Sequence, residues 1–114
     1  MVSIETARQL ALSLPEAEEK SHFQTPDFRI RNKIFASLHA DKNLVMVKLS
    51  PIDQSVFCAF DASVIYPVPG GWGRQGATFV NLKKVRKSML ADALLVAWKT
   101  VAPKTLLKKY YPTA

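Results

Sequence analysis

The side chains best suited to chemistry in this chain are cations, and they are unevenly placed. Lys83, Lys84, Arg86 and Lys87 fall within one short stretch, and Arg74 stands a little before them. Arg29, Arg31 and Lys48 lie in strand-like runs further upstream. Guanidinium and ammonium groups at this density suit phosphate oxygens, Arg through paired N–H donors and Lys as a compact point charge. Residues 1–82 hold eight bases and eight acids, whereas residues 83–114 hold eight bases and one acid, Asp92. The formal charge of +7 therefore belongs to the last part of the chain. A localised field of one sign attracts polyanions and anionic surfaces.

Position sharpens this. The cluster Lys83–Lys87 opens a predicted helix, and that end of a helix already carries partial positive charge. Cations there cost roughly a few tenths of a kcal/mol each, and a bound phosphate reverses the sign. The alternative is that Lys83 and Lys84 lie in the preceding loop and are solvated. Lys99, Lys104, Lys108 and Lys109 fall toward the helix's C-terminal side, where its dipole favours them without any ligand.

Other chemistries are poorly supplied. Gly71-Trp72-Gly73-Arg74-Gln75-Gly76 spells G-x-G-x-x-G, but a dinucleotide fingerprint must open a helix and here a β-rich run follows. No cofactor is expected. The glycines instead permit a tight connection, Pro67–Gly76, between two strands, with Trp72 expected to pack across an end of the sheet. Arg74 is the member of that loop suited to an anion. The two histidines, His22 and His39, make no H-x-x-x-H, and one cysteine makes no C-x-x-C, so no metal site is expected. No Ser-His-acid set is suggested, and no catalytic residue is assigned. His22 reads as a hydrogen-bonded structural histidine. Cys58 reads as a partly buried structural thiol, because nothing near it would lower its pKa. Glu16, Glu18 and Glu19 read as a solvated acidic turn.

The elements that must position these groups follow from periodicity. Ser3 caps a first helix with Ile4, Ala7, Ala11 and Leu14 on one stripe, stopped by Pro15. A polar connector, EAEEKSHFQTPD, comes next. Strands are predicted over 27–31, 34–39 and 44–49, joined by turns at Asn32–Lys33 and Asp41–Asn43. Ser50, Pro51 and Asp53 start a short helix whose buried stripe is predicted as Ile52, Val56 and Phe60. Strands over 64–66 and 77–82 flank the glycine loop, and a long helix runs from about Arg86 to Ala102. Pro103 ends it, and KTLLKKYY adds a last turn.

The order α-β-β-β-α-β-β-α describes an α+β fold, a two-layer sandwich with an antiparallel five-stranded sheet and helices on one face. Alternation sends Phe28, Ile30, Ile34, Ala36, Val45, Val47 and Leu49 to the helices. Arg29, Arg31, Phe35, Ser37, His39, Leu44, Met46 and Lys48 then form the other face, which could stack or pair with a partner. With 114 residues the chain reads as one domain, 1–114. The lone cysteine fits a reducing cytoplasm, the N-terminus does not read as a signal peptide, and no apolar run is long enough to span a membrane.

Leu14-Pro15-Glu16, His22-Phe23 with Pro26 and Phe28-Arg29-Ile30, Lys33-Ile34-Phe35-Ala36, Trp72-Gly73-Arg74 with Gly76, Val80 and Leu82, and the Leu90–Ala102 helix with Ala97-Trp98 together resemble the MmcQ/YjbR family. The resemblance runs in order along nearly the whole chain. It implies a two-layer α-β3-α-β2-α fold related to secretion chaperones and frataxin-like proteins. It also implies a small bacterial cytoplasmic protein described as DNA-binding and without known catalytic residues. Two positions depart from the family pattern: Ala77 stands where a second aromatic is frequent, and Gln24-Thr25 where glycine and lysine are frequent. An iron role like that of frataxin would need an acidic ridge, which this charge distribution does not supply.

The expectation from sequence is non-specific DNA binding through Arg29, Arg31, Lys48, Arg74, Lys83, Lys84, Arg86 and Lys87. The alternative is a protein-interaction or chaperone-like module, homodimeric through the open sheet face.

Overall fold

A computed structural model describes residues 1–112, apart from the side chain of His22. The structural role expected for that histidine lies outside the described residues. Helix α1 (Ile4–Leu12) begins where the Ser3 hydroxyl accepts a hydrogen bond from the Thr6 N–H at 3.0 Å. Strands β1 (Glu18–His22), β2 (Thr25–Ile30), β3 (Lys33–His39) and β4 (Leu44–Lys48) follow, with a short 3-10 turn at Ala40–Lys42. Helix α2 (Pro51–Phe60) starts as predicted, with Pro51 in its first turn and the Asp53 N–H donating to Ser50 Oγ at 3.1 Å. Strand β5 (Ile65–Pro67), a one-turn helix α3 (Gly71–Arg74) and strand β6 (Ala77–Asn81) come next. Helices α4 (Lys87–Val101) and α5 (Lys104–Tyr110) complete the order.

The sheet is antiparallel throughout, in the order β1-β2-β3-β4-β6-β5, and has six strands rather than the expected five. The additional strand is β1, drawn from the acidic connector. Its charged residues suit an edge, where one side faces water. The β1–β2 hairpin turns through Phe23 and Gln24, both at positive φ (50° and 65°), the backbone of a two-residue hairpin turn. The next turn uses Arg31 and Asn32 (φ 51° and 68°), one residue earlier than the sequence suggests.

One face of the sheet is covered. Phe28, Ile30, Ala36, Leu38, Val45, Val47 and Val80 are each at most 2% exposed and form the core with Leu90, Ala93, Leu94, Ala97 and Trp98 of α4. The Trp98 indole N–H donates to the Pro15 carbonyl at 2.9 Å, which ties α4 to the end of α1.

Two expectations about facing are corrected. Phe35 is fully buried in the core, and Ile34 instead lines the uncovered face beside Ser37, His39 and Met46. The cause is a bulge in the β2–β3 pairing: Phe28 pairs with Ala36 and Arg29 with Ile34, so Phe35 is an extra residue and parity inverts before it. Helix α2 is turned the other way from the prediction. Ile52, Val56 and Phe60 are 77%, 65% and 69% exposed, and Phe57 and Cys58 pack on the core instead. The reason is Gln54, whose amide nitrogen lies within hydrogen-bond reach of Gly73 O (2.8 Å), Ala77 O (3.1 Å) and Thr78 Oγ1 (3.1 Å). Satisfying those groups fixes the rotation of the helix.

Candidate nucleic-acid interface

Each candidate cation is placed by the strand that leads to it. Strand β6 starts just after Arg74 and ends just before Lys83. At about 3.3 Å per residue, the span from Gly76 to Leu82 separates Arg74 from Lys83 by roughly 20 Å. The eight candidates therefore fall into two sectors at opposite ends of the sheet.

The first sector is the β6–α4 junction. Lys83, Lys84, Arg86 and Lys87 are all exposed there. Among the described residues none of the four has a carboxylate within 4 Å. Lys83 and Lys84 lie in the loop before the helix, the alternative placement expected from sequence, and Arg86 is the N-cap of α4. That cap makes no side-chain hydrogen bond, and the first turn of α4 contains no acid. The loop is rigidly held: Asn81 Oδ1 accepts the Lys83 N–H at 3.0 Å, and Asn81 O accepts from Lys84 and Val85 at 3.1 and 2.9 Å. The sheet also brings in a cation that the sequence reading missed. Leu82 N–H donates to Asn43 O at 2.9 Å, which places Lys42 beside this loop. Only strand pairing could reveal it, because Lys42 is some forty residues away in sequence. Near the same end, Asp61 is held below the ordinary carboxylate range, chiefly by hydrogen bonds from the Ser63 hydroxyl and N–H, with the charge of Lys84 adding to the effect.

The second sector is the opposite end of the sheet. Lys48 and Arg74 are exposed there, and Lys48 shares a groove with Asn32, Lys33, Ile34, Thr100 and Val101. Arg31 in the β2–β3 turn already has a partner, Glu16, at 3.3 Å. Arg29 lies on the uncovered face and is held by Asp27. Trp72 is 70% exposed, so the expectation that it packs across the sheet end is not met. The loop is anchored by its backbone. A Cβ on Gly73 would lie 1.8 Å from Val68 O, and one on Gly76 1.8 Å from Leu49 O.

The uncovered face has its own character. Tyr66 and Phe79 meet edge to face at 6.0 Å, and Phe79 meets His39 at 5.6 Å. Ser37 Oγ and His39 Nε2 are 2.9 Å apart. Burial lowers the His39 pKa, helped by the charge of Lys42 and opposed by that of Asp41. Cys58 is half-buried, and burial raises its thiol pKa above the ordinary value. No group of three or more His, Cys, Asp or Glu that could hold a metal occurs among the described residues. No helix of the described residues is long and apolar enough to cross a membrane.

Comparison with known proteins gives the family and the fold. The YjbR family model matches residues 12–100. The chain belongs to the YjbR family. The matched region spans most of the chain, from the end of α1 through nearly all of α4, and so includes both the glycine loop and the β6–α4 junction. The crystal structure of Deinococcus radiodurans protein DR2400, a DUF419 domain, superposes with a TM-score of 0.75 at 18% identity. The superposition covers 96% of this chain and 88% of that one, and at this identity it speaks for the fold alone. Comparison with curated protein sequences gives no match.

Proposed function

We propose that this YjbR-family chain is a non-catalytic DNA-binding protein that holds the phosphate backbone at the β6–α4 junction. The observation that carries the reading is the start of α4. Arg86 and Lys87 are the N-cap and first residue of a fifteen-residue helix whose first turn has no acidic residue and whose cap makes no side-chain hydrogen bond, and the exposed Lys83 and Lys84 lie in the loop just before it. For the isolated fold this arrangement is unfavourable, since both the helix dipole and mutual repulsion oppose it; a phosphate group relieves both. Lys42 extends the same surface. Contacts of this kind position a protein without reading bases, so binding is weak and indifferent to sequence.

Arg29 and Arg31 contribute little in this reading because each already has a carboxylate partner. Lys48 and Arg74 lie at the far end of the sheet and serve only a long or bent nucleic acid. The test is duplex affinity at several salt concentrations. With four phosphate contacts the logarithmic slope is about −3.6. A slope near zero, or no binding at low salt, removes the reading.

The uncovered sheet face favours a second reading, a protein-interaction module. Ile34, Leu44, Met46, Tyr66 and Phe79 are only half-buried there and form a continuous apolar and aromatic surface. Phe35 cannot probe that surface because it belongs to the core. Phe79→Ser is the appropriate substitution, and loss of partner binding with DNA affinity intact would favour this second reading.

A further inference from the structure

Helix α2 is amphipathic in the wrong direction for a monomer. Its outward row, Ile52, Val56 and Phe60, repeats at four-residue spacing, and each of these residues is at least 65% exposed. The inward row is held by Gln54 on Gly73, Ala77 and Thr78 and by the packing of Phe57 and Cys58, so the stripe cannot rotate into the core. We infer that this stripe is a homodimer interface in which α2 packs antiparallel against α2 of a second copy around a two-fold axis at Val56.

Three observations choose a second copy as the occupant. The first is area. The three side chains present on the order of 400 Å² of apolar surface, within the range of the largest patch a monomer leaves open, which is often functional. It supplies an apolar centre for the roughly 800 Å² per partner that a standard interface buries. The second is charge. The chain carries +7, yet α2 contains a single charged residue, Asp53, and no cation. Two copies of a basic protein approach with least repulsion through such a surface. A membrane-surface helix would instead carry Lys or Arg along its polar flank. The third is self-complementarity. An antiparallel pairing sets Ile52 against Phe60 of the second copy, Val56 against its own equivalent, and Phe60 against Ile52. That is the arrangement an isologous interface requires. This proposal does not rest on the phosphate reading, because α2 contributes no cation to that surface.

Sedimentation equilibrium of the full chain at about 100 μM tests it. The expected mass is twice the 12.7 kDa of one chain. Val56→Glu places two carboxylates face to face at the axis and weakens the dimer at least about 100-fold, read as the shift of the monomer–dimer midpoint across a concentration series. Phe60→Glu gives the same result from a second position, and unchanged far-UV circular dichroism shows that both variants are folded. In a Cys58→Ser background, Val56→Cys forms a disulfide-linked dimer on mild oxidation. A wild-type monomer at this concentration overturns the inference and leaves the stripe to a different partner. A dimer unaffected by both glutamate substitutions overturns it in favour of another surface, such as the open sheet face.

Discussion

Asp27 and Arg29 stand two residues apart on β2 and close a two-point ion pair, Nε to Oδ1 at 2.7 Å and Nη2 to Oδ2 at 3.1 Å. The aspartate is 2% exposed. The pair places a buried carboxylate under a guanidinium that covers it, and the Asp27 side chain raises the pKa of Arg29 through that hydrogen bond. Arg29 is therefore part of the fold's polar network.

Arg29→Ala consequently has a structural effect and not a binding effect. Leaving the buried Asp27 carboxylate without its cation destabilises the fold, read as a lower urea midpoint. The salt dependence of DNA affinity stays as in the wild type. A variant of unchanged stability with weakened DNA binding would return Arg29 to the phosphate surface.

The glycine loop gives a graded prediction. Gly76 sits at φ +111° with Leu49 O at 1.8 Å from any Cβ, so Gly76→Ala costs at least about 3 kcal/mol. Gly71 has nothing within 4 Å and no positive φ, and Gly71→Ala changes stability by less than about 0.5 kcal/mol. Thermal or urea unfolding of the two variants checks the ranking. Equal effects would mean that the loop is held by something other than close backbone approach.

His39 makes stability depend on pH. Burial disfavours its imidazolium, so the folded pKa lies below the ordinary 6.5. The unfolded chain then binds more protons at this position, and stability falls as pH drops through the interval below 6.5. The full penalty is present once pH is below the folded value. His39→Gln therefore flattens the loss of stability between about pH 7.5 and about pH 5, measured by urea midpoints. Identical slopes for variant and wild type would contradict the assignment. The carboxylates of Glu5, Glu16 and Asp61, held low mainly by Gln9, Tyr110 and Ser63 respectively, lose their contribution only at more acidic pH.

Part of this architecture is legible in the sequence. The starts of α1 and α2 were legible because Ser3, Ser50 and Pro51 act locally. The span of α4 between Arg86 and Ala102 was legible from a wide apolar face and a following proline. Strand β1 was not, because its pairing with β2 comes from a Phe-Gln turn without the usual Asn or Gly signal. The inversion of Ile34 and Phe35 was invisible because a bulge is a property of two strands together. The rotation of α2 was hidden for a related reason: Ile52, Val56 and Phe60 form a good stripe, but distant carbonyls around Gly73 and Ala77 select the face with Gln54. In the candidate interface, the density of Lys83–Lys87 was plain in the sequence. The proximity of Lys42, the separation of Arg74 and the prior pairing of Arg29 and Arg31 depend on sheet topology.

The most direct test compares the wild type with a variant carrying Lys83→Gln, Lys84→Gln, Arg86→Gln and Lys87→Gln. The logarithm of duplex affinity is measured against the logarithm of salt concentration for each. The β6–α4 surface as the phosphate site predicts a slope shallower by about 3.6 units in the variant, with folding unchanged because all four side chains are exposed. An unchanged slope would contradict it.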